Sequence, residues 1–100
     1  MSDYTYPGST KVKSGWEDNL PEYMEIRDVD GADYVIADMD DTVQETVDRY
    51  YDDEYYRAVV NAVMDSRGGG MFVDDFVEYS MEDENNEAFG ASVEEVEERL

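Results

Sequence analysis

Two aspartates and a threonine after an apolar run form a pattern in this sequence that suggests catalysis. In the string YVIADMDDTV, residues 34–43, Asp38 and Asp40 are separated by one residue and Thr42 follows. Carboxylates two residues apart at a strand end can bind a hard cation such as Mg²⁺, and an aspartate can act as a nucleophile. The pattern suggests a divalent-dependent phosphohydrolase, whose turnover the substitution Asp38→Asn would abolish.

This string resembles the first motif of haloacid-dehalogenase-type phosphatases, in which D-x-D-x-T follows an apolar strand. The resemblance implies nucleophile and acid-base roles for Asp38 and Asp40. However, that family needs a Rossmann-like sheet with several crossovers, and little chain and no lysine follow Thr42. We therefore favour a strand end, loop acids and a helix N-cap at these positions. We predict no catalytic residue, no metal site, no cofactor and no enzyme activity.

The string DVDGAD, residues 28–33, suggests a calcium loop, but it does not fit a regular EF-hand. With Gly31 at the sixth position, Ile26 and Ala37 would stand at the first and last ligand positions, where carboxylates are required. The triple glycine at residues 68–70 lacks the lysine that a phosphate-binding loop needs. We interpret it as a helix terminator.

Composition excludes several classes of function. The chain has 28 acidic and 7 basic residues, a formal charge of −21 over 100 residues, and no cysteine or histidine. Direct binding to nucleic acid is not expected, and disulfides, thiolate metal sites and imidazole catalysis are excluded. No apolar run is long enough to cross a bilayer, and MSDYTYPGST does not resemble a signal peptide. We therefore expect a cytoplasmic location, in the host cytoplasm if the chain is viral, and no membrane partner.

The acidic residues themselves are the candidate functional groups. Carboxylates three to four residues apart on one helix repel each other, so stability alone does not favour them. Rows of such carboxylates can approximate the phosphates of nucleic acid in sign and spacing. The first predicted patch comprises Asp40, Asp41, Glu45, Asp48, Asp52, Asp53 and Glu54. The second comprises Asp74, Asp75, Glu78, Glu82, Asp83 and Glu84. The tyrosines interleaved with the first patch could anchor an interface or fill the core: Tyr50, Tyr51, Tyr55 and Tyr56.

In its small size, lack of cysteine and extreme acidity over residues 14–100, the chain resembles the DNA-mimic inhibitors of phages and mobile elements, of the anti-restriction and anti-CRISPR type. The resemblance is one of overall character and matches no motif. It implies a protein that inhibits a DNA- or RNA-binding host enzyme by occupying its basic groove. The partner would be a basic nucleic-acid-binding protein, and a homodimer would cover a longer track.

The sequence patterns predict an α+β domain at residues 23–100, which positions these groups. An extended arm at residues 1–22 precedes it, and Trp16 is the candidate to pin part of this arm to the domain. Asp30-Gly31 separates two short alternating runs and predicts a type I′ hairpin. Apolar residues then recur every three to four positions and predict one long helix over residues 42–67.

The region after the triple glycine is less regular. At residues 71–81 the spacing of Phe72, Phe76 and Tyr79 suits a helix, whereas the β-branched and aromatic content suits a strand. Of the two we favour a third strand at residues 71–79. A loop follows at residues 82–87, and a short C-terminal helix opens at Ser92. Capping boxes are predicted at Thr42 with Glu45 and at Ser92 with Glu95.

Two further interpretations compete with mimicry. A salt-adapted acidic protein would need molar salt to fold and would not prefer basic partners. A structural or virion interaction module would assemble with its own kind or with a coat protein, which light scattering would detect.

Overall fold

The computed structural model describes residue 16 and residues 20–83 and 85–100. Most of the predicted N-terminal arm, with Lys11 and Lys13, lies outside this part. The elements in chain order are β1 Met24–Val29, β2 Ala32–Asp38, α1 Val43–Asp52, α2 Glu54–Ser66, α3 Val73–Met81, β3 Ala88–Ser92 and α4 Val93–Glu98. The predicted α+β class, with a small antiparallel sheet and a short C-terminal helix, is confirmed.

The predicted hairpin is confirmed. β1 pairs antiparallel with β2, and Asp30 and Gly31 both have positive φ, at 54° and 87°. These angles suit a type I′ turn, and the Asp28 side chain accepts a hydrogen bond from the Gly31 amide at 2.9 Å. The hairpin therefore forms from local turn chemistry.

The prediction of a strand at residues 71–79 was wrong, because this segment forms α3. Its buried residues are Val73, Phe76, Val77 and Ser80. They follow a helical period and place one continuous face on the core, which outweighs the strand preference of valine and the aromatic residues.

The third strand is β3, in a segment for which no element was predicted. β3 pairs antiparallel with β2, which places Phe89 and Ala91 in the core. Gly90 lies between them, and a Cβ at this position would be 3.2 Å from Cδ1 of Ile36. Gly90 weakens the sequence pattern expected of a strand, but its lack of a Cβ lets the Ile36 side chain lie close to β3.

The prediction of one long helix was also wrong, because the helix breaks at Asp53. Asp53 has an extended backbone, with φ −117° and ψ 113°. Its Oδ1 accepts hydrogen bonds from the amides of Tyr55 and Tyr56, and its Oδ2 accepts one from the Tyr23 hydroxyl at 2.7 Å. The carboxylate thus starts α2 as an N-cap and attaches the break to the segment before β1.

The core lies between the inner face of the sheet and the helices. Val35 and Ala37 of β2 and Phe89 of β3 are buried together with residues of α2, which contacts both strands. Tyr56 is fully buried, and its hydroxyl donates a hydrogen bond to the Asp38 carbonyl at 2.7 Å. This contact fixes the end of β2, from which the chain enters α1.

Three helix ends agree with the sequence predictions. The Thr42 hydroxyl accepts a hydrogen bond from the Glu45 amide at 3.1 Å, and the Ser92 hydroxyl accepts one from the Glu95 amide at 3.2 Å. The Glu45 carboxylate accepts a hydrogen bond from the Thr42 hydroxyl. In a regular capping box it would accept one from the Thr42 backbone amide instead. The triple glycine ends α2 with positive φ at all three residues.

Trp16 is packed on the folded domain, 4 % exposed. Its ring stacks on Tyr55 with the ring centroids 5.5 Å apart, and its Nε1 donates a hydrogen bond to the Glu97 carboxylate at 3.1 Å. The residue therefore joins α2 to α4.

Removing the N-cap carboxylate should destabilise the fold. We expect Asp53→Ala to lower the free energy of unfolding by about 1–2 kcal/mol, because the start of α2 and the Tyr23 hydroxyl lose their acceptor. Asp53→Asn is the matched control, since it keeps an acceptor oxygen. Urea unfolding measures both, and equal stability of the two variants would contradict the role of Asp53.

Candidate functional site

The helices α1 and α3 pack against each other and carry six of the thirteen predicted acidic residues. On α1, Thr46 and Val47 are buried, while Glu45, Asp48 and Asp52 are exposed. α3 likewise buries its apolar face. The exposed charged residues on α3 are all acidic: Asp74, Asp75 and Glu78. Each of these two contacting helices therefore presents exposed carboxylates, and none of its exposed charged residues is a cation.

The exposed carboxylates of α1 and α3 form no salt bridge with an arginine in the described part of the chain. Among the described residues, arginines pair with Glu25, Asp40 and Asp65. None of these three acids is an exposed acid of α1 or α3. The Asp48 carboxylate accepts a neutral hydrogen bond from the Gln44 amide at 2.9 Å. We call the set Glu45, Asp48, Asp52, Asp74, Asp75 and Glu78 the acidic strip.

Glu45 and Asp48 accept local hydrogen bonds at α1, and two further residues of the first predicted patch have structural roles. Asp53 caps α2. Asp40 is half-buried, and its Oδ2 accepts a hydrogen bond from Arg49 Nη2 at 2.7 Å. The Arg49 guanidinium also lies 3.9 Å from the Tyr23 ring centroid and donates to the Asp38 carbonyl at 3.0 Å. Sequence spacing does not distinguish such structural carboxylates from free ones.

The remaining predicted residues lie at the edges of the strip. Asp41 precedes α1, Glu54 begins α2, and both are exposed. Glu82 and Asp83 follow α3 and are exposed, and Glu84 lies outside the described residues.

An open cleft joins the two patches that the sequence suggested as separate. It has a volume of about 340 Å³ and is lined by Met39, Asp40, Asp41, Met81, Asp83, Asn86 and Glu87. Acids from the start of α1 and from the loop after α3 thus share one depression. Over the described ranges, no group of three or more acidic side chains is arranged to hold a metal ion.

Acidic residues are also exposed outside the strip. Asp28, Asp30 and Asp33 surround the hairpin turn, and Glu94 and Glu98 lie on α4. These acids are carried by short elements and turns. The strip differs from them because its two helices are in direct contact.

The four tyrosines interleaved with the first patch have different roles. Tyr56 is buried, Tyr55 stacks on Trp16, and Tyr50 donates a hydrogen bond to the Asn61 side chain at 2.7 Å. Tyr51 is 60 % exposed. Three of these rings therefore stabilise the domain, and Tyr51 alone of the four is largely accessible to a partner.

Sequence reasoning missed the exposed apolar residues next to the strip. Phe72 is 80 % exposed and Met71 is 48 % exposed, at the start of α3. The predicted strand concealed them, because alternation alone does not tell which face is outside. Phe72 is four residues before the buried Phe76, so helical spacing does not assign it to the outer side either.

The aspartates of the D-x-D-x-T string lie at the end of β2 and before α1. Asp38 is exposed, and Asp40 is paired with Arg49. The described sheet is antiparallel, whereas the phosphatase resemblance implies a parallel one. The catalytic role of Asp38 and Asp40 stays an alternative hypothesis, and the lack of enzyme activity stays a prediction.

Comparison of the chain with protein-family models, with curated proteins and with solved structures found no match. Within the described residues, no helix is both long enough and apolar enough to cross a membrane.

The Asp52 carboxylate lies at a position where its charge destabilises α1. It is the last residue of α1, at the negative end of the helix dipole, and it follows Asp48 by one turn. We expect Asp52→Asn to raise the free energy of unfolding by about 0.3–1 kcal/mol at low salt, and by less in about 1 M salt.

The matched control is Asp74→Asn, which removes a carboxylate from the first turn of α3, where the dipole favours it. Urea unfolding of both variants gives the comparison. A loss of stability in Asp52→Asn would mean that this carboxylate makes a stabilising contact.

Alkaline pH should unfold the domain through its tyrosines. Burial, and then the hydrogen bond to Asp53, raise the pKa of Tyr23 from 10.0 to about 12, and burial also raises the pKa of Tyr56. The folded state therefore holds these protons more tightly than the unfolded state. The resulting stability is complete below pH 10.0 and is lost as the pH rises towards about 12.

We expect Tyr23→Phe to show a smaller loss of stability between about pH 9 and about pH 11 than the wild type does. Tyr51→Phe is the control, because Tyr51 is exposed. Urea unfolding at both pH values measures the difference. An equal loss in the wild type and Tyr23→Phe would contradict the assignment to Tyr23.

Proposed function

We propose that this protein is a nucleic-acid mimic, which binds a basic nucleic-acid-binding protein and inhibits it by occupying its groove. The observation that carries the proposal is the acidic strip: two packed helices whose exposed charged residues are all acidic. The partner would be a host enzyme such as a defence nuclease, a restriction enzyme or a CRISPR effector.

The energetics of the strip support an external role. Asp48 and Asp52 are one turn apart on α1, and like charges at that spacing destabilise a helix by a few tenths of a kcal/mol. Glu78 adds a further carboxylate beyond the first turn of α3. Pairing with a cationic surface would turn this repulsion into attraction.

The spacing of the strip also supports mimicry. Residues three and four apart on a helix are separated by about 4.5–6 Å along its axis, and packed helices lie about 8–10 Å apart. Nucleic acid carries a phosphate about every 3.4 Å along each strand. Two rows of carboxylates therefore give a charge density that approaches that of a phosphate track.

The mechanism is occlusion with electrostatic steering. Opposite potentials accelerate the encounter, and binding releases ions condensed on both surfaces. Because the same cations would otherwise bind phosphate, the complex would exclude the partner's nucleic acid. No chemical step on the partner is needed.

The test uses a protein that the immobilised chain retains from host lysate at low salt. We expect the Kd of the purified pair to weaken steeply between about 50 and 200 mM salt, and nucleic acid to compete with the chain. The strip variant neutralises four carboxylates: Asp48→Asn, Asp52→Asn, Asp75→Asn and Glu78→Gln. We expect it to bind about tenfold more weakly or worse.

The control variant carries the same net charge but leaves the strip intact: Glu22→Gln, Asp33→Asn, Glu94→Gln and Glu98→Gln. All four of its acids are exposed. Equal weakening by the two variants would indicate general acidity, as in a salt-adapted protein, and would reject the strip. A partner that binds this chain and its nucleic acid at the same time, without mutual weakening, would reject mimicry.

A further inference from the structure

Three large apolar side chains on and before α3 are exposed to solvent. Phe72 is 80 % exposed, Tyr79 is 56 % exposed and Met71 is 48 % exposed. We call these residues the Phe72 patch. Single exposed apolar residues are ordinary, but apolar residues grouped around a cleft mark an interaction site.

Phe72 stands at a helix position that favours other residue types. It is the N-cap of α3, and its side chain makes no capping hydrogen bond. Serine, threonine, aspartate and asparagine are preferred here because their side chains accept a bond from the first turn. Within the described part of the chain, neither helix capping nor burial accounts for a phenylalanine at this position, which favours an intermolecular contact.

Met71 and Tyr79 of the patch line a cleft, and Phe72 directly follows Met71 in the chain. The cleft has a volume of about 230 Å³ and is lined by Met64, Arg67, Gly69, Met71, Phe76 and Tyr79. Tyr79 and Arg67 also line the neighbouring cleft, together with Glu82 and Asp83. Two residues of the patch therefore adjoin the acids that follow α3, with the Arg67 side chain between the two clefts.

Charge decides what kind of partner fits the Phe72 patch. Asp74 and Asp75 lie two and three residues after Phe72 in the first turn of α3, and Glu78 lies one turn further. A second copy that docked through this patch with two-fold symmetry would bring the same carboxylates together. A partner with cations around an apolar recess would instead neutralise them.

We propose that Phe72 takes the place of an unstacked nucleobase in the partner's basic groove, while the carboxylates beside it take the place of phosphates. Grooves that bind single strands combine cations with aromatic side chains on which bases stack. A phenyl ring offers the same flat face. This inference rests on the proposed function and deepens it, because it assigns the partner to proteins that bind an unpaired base.

The test compares variants at Phe72 in binding to the protein retained by the full chain. Phe72→Ser removes the ring and supplies a better N-cap, so we expect its melting temperature to be at or above that of the wild type. We expect its Kd to be about tenfold weaker or worse. Phe72→Trp keeps a stacking face, and Val29→Ala removes an exposed apolar side chain of the hairpin. Both should bind within about twofold of the wild type.

Competition distinguishes the class of partner. We expect a single-stranded oligonucleotide to displace the chain at a lower concentration than the duplex of the same sequence does. Equal or better displacement by the duplex would overturn the inference. So would an unchanged Kd in Phe72→Ser, or a dimer, detected by light scattering, that Phe72→Ser dissociates.

The two proposals fail in different ways. If the strip variant weakens binding and Phe72→Ser does not, mimicry stands and the role of Phe72 falls. If both variants bind like the wild type, or the immobilised chain retains no protein whose binding depends on its carboxylates, both proposals fall.

Discussion

The contacts of the Arg49 guanidinium stabilise a domain that is destabilised by repulsion among its own negative charges. Arg49 donates to the Asp38 carbonyl and the Asp40 carboxylate, and it lies over the ring of Tyr23. One side chain of α1 thus ties together the end of β2, the loop before α1 and the segment before β1. Because a cation between acids and aromatic faces is attracted to both, this contact is strengthened by the same negative potential that destabilises the rest of the surface.

Two kinds of carboxylate follow from this arrangement. Asp40 and Asp53 have donors on the protein itself and fix the ends of helices. The carboxylates of the acidic strip face solvent without salt bridges in the described part of the chain. The apolar core offsets the repulsion among them. Stability alone does not favour Asp52 at the C-terminal end of α1. This position, and the lack of arginine partners for the strip within the described residues, are the physical argument for a cationic partner.

The exposed apolar residues would add apolar contact to the electrostatic attraction of the acidic strip. Charge orients a complex and speeds its formation, whereas a buried ring supplies much of the energy that keeps it together. Tyr79 of the Phe72 patch lines one cleft together with Glu82 and Asp83, the acids after α3. The proposed apolar contact and the proposed electrostatic contact both involve α3, and the remaining aromatic rings of α1 and α2 are largely used for packing.

Sequence patterns predicted the elements whose signals are local. The hairpin followed from Asp30-Gly31, and the helix start followed from Thr42 with Glu45, because turn and cap chemistry act within a few residues. The break at Asp53 could not be predicted in this way. The helical period of apolar residues continues through Asp53. The Tyr23 hydroxyl, which donates a hydrogen bond to the Asp53 carboxylate, lies 30 residues away in the sequence. β3 was missed because AFGAS owes its strand to pairing with β2 and to the fit of Ile36 over Gly90.

The sequence by itself determined the charge, the lack of cysteine and histidine and the α+β class, because these depend on composition and short-range periodicity. Only the tertiary structure decided which carboxylates are free, since spacing along the chain does not reveal a donor that arrives from another element. It also decided that residues 71–79 are helical, because burial of Val73, Phe76 and Val77 on α1 and the core outweighs their strand preference. That choice brings the second group of acids beside the first and leaves Phe72 in solvent.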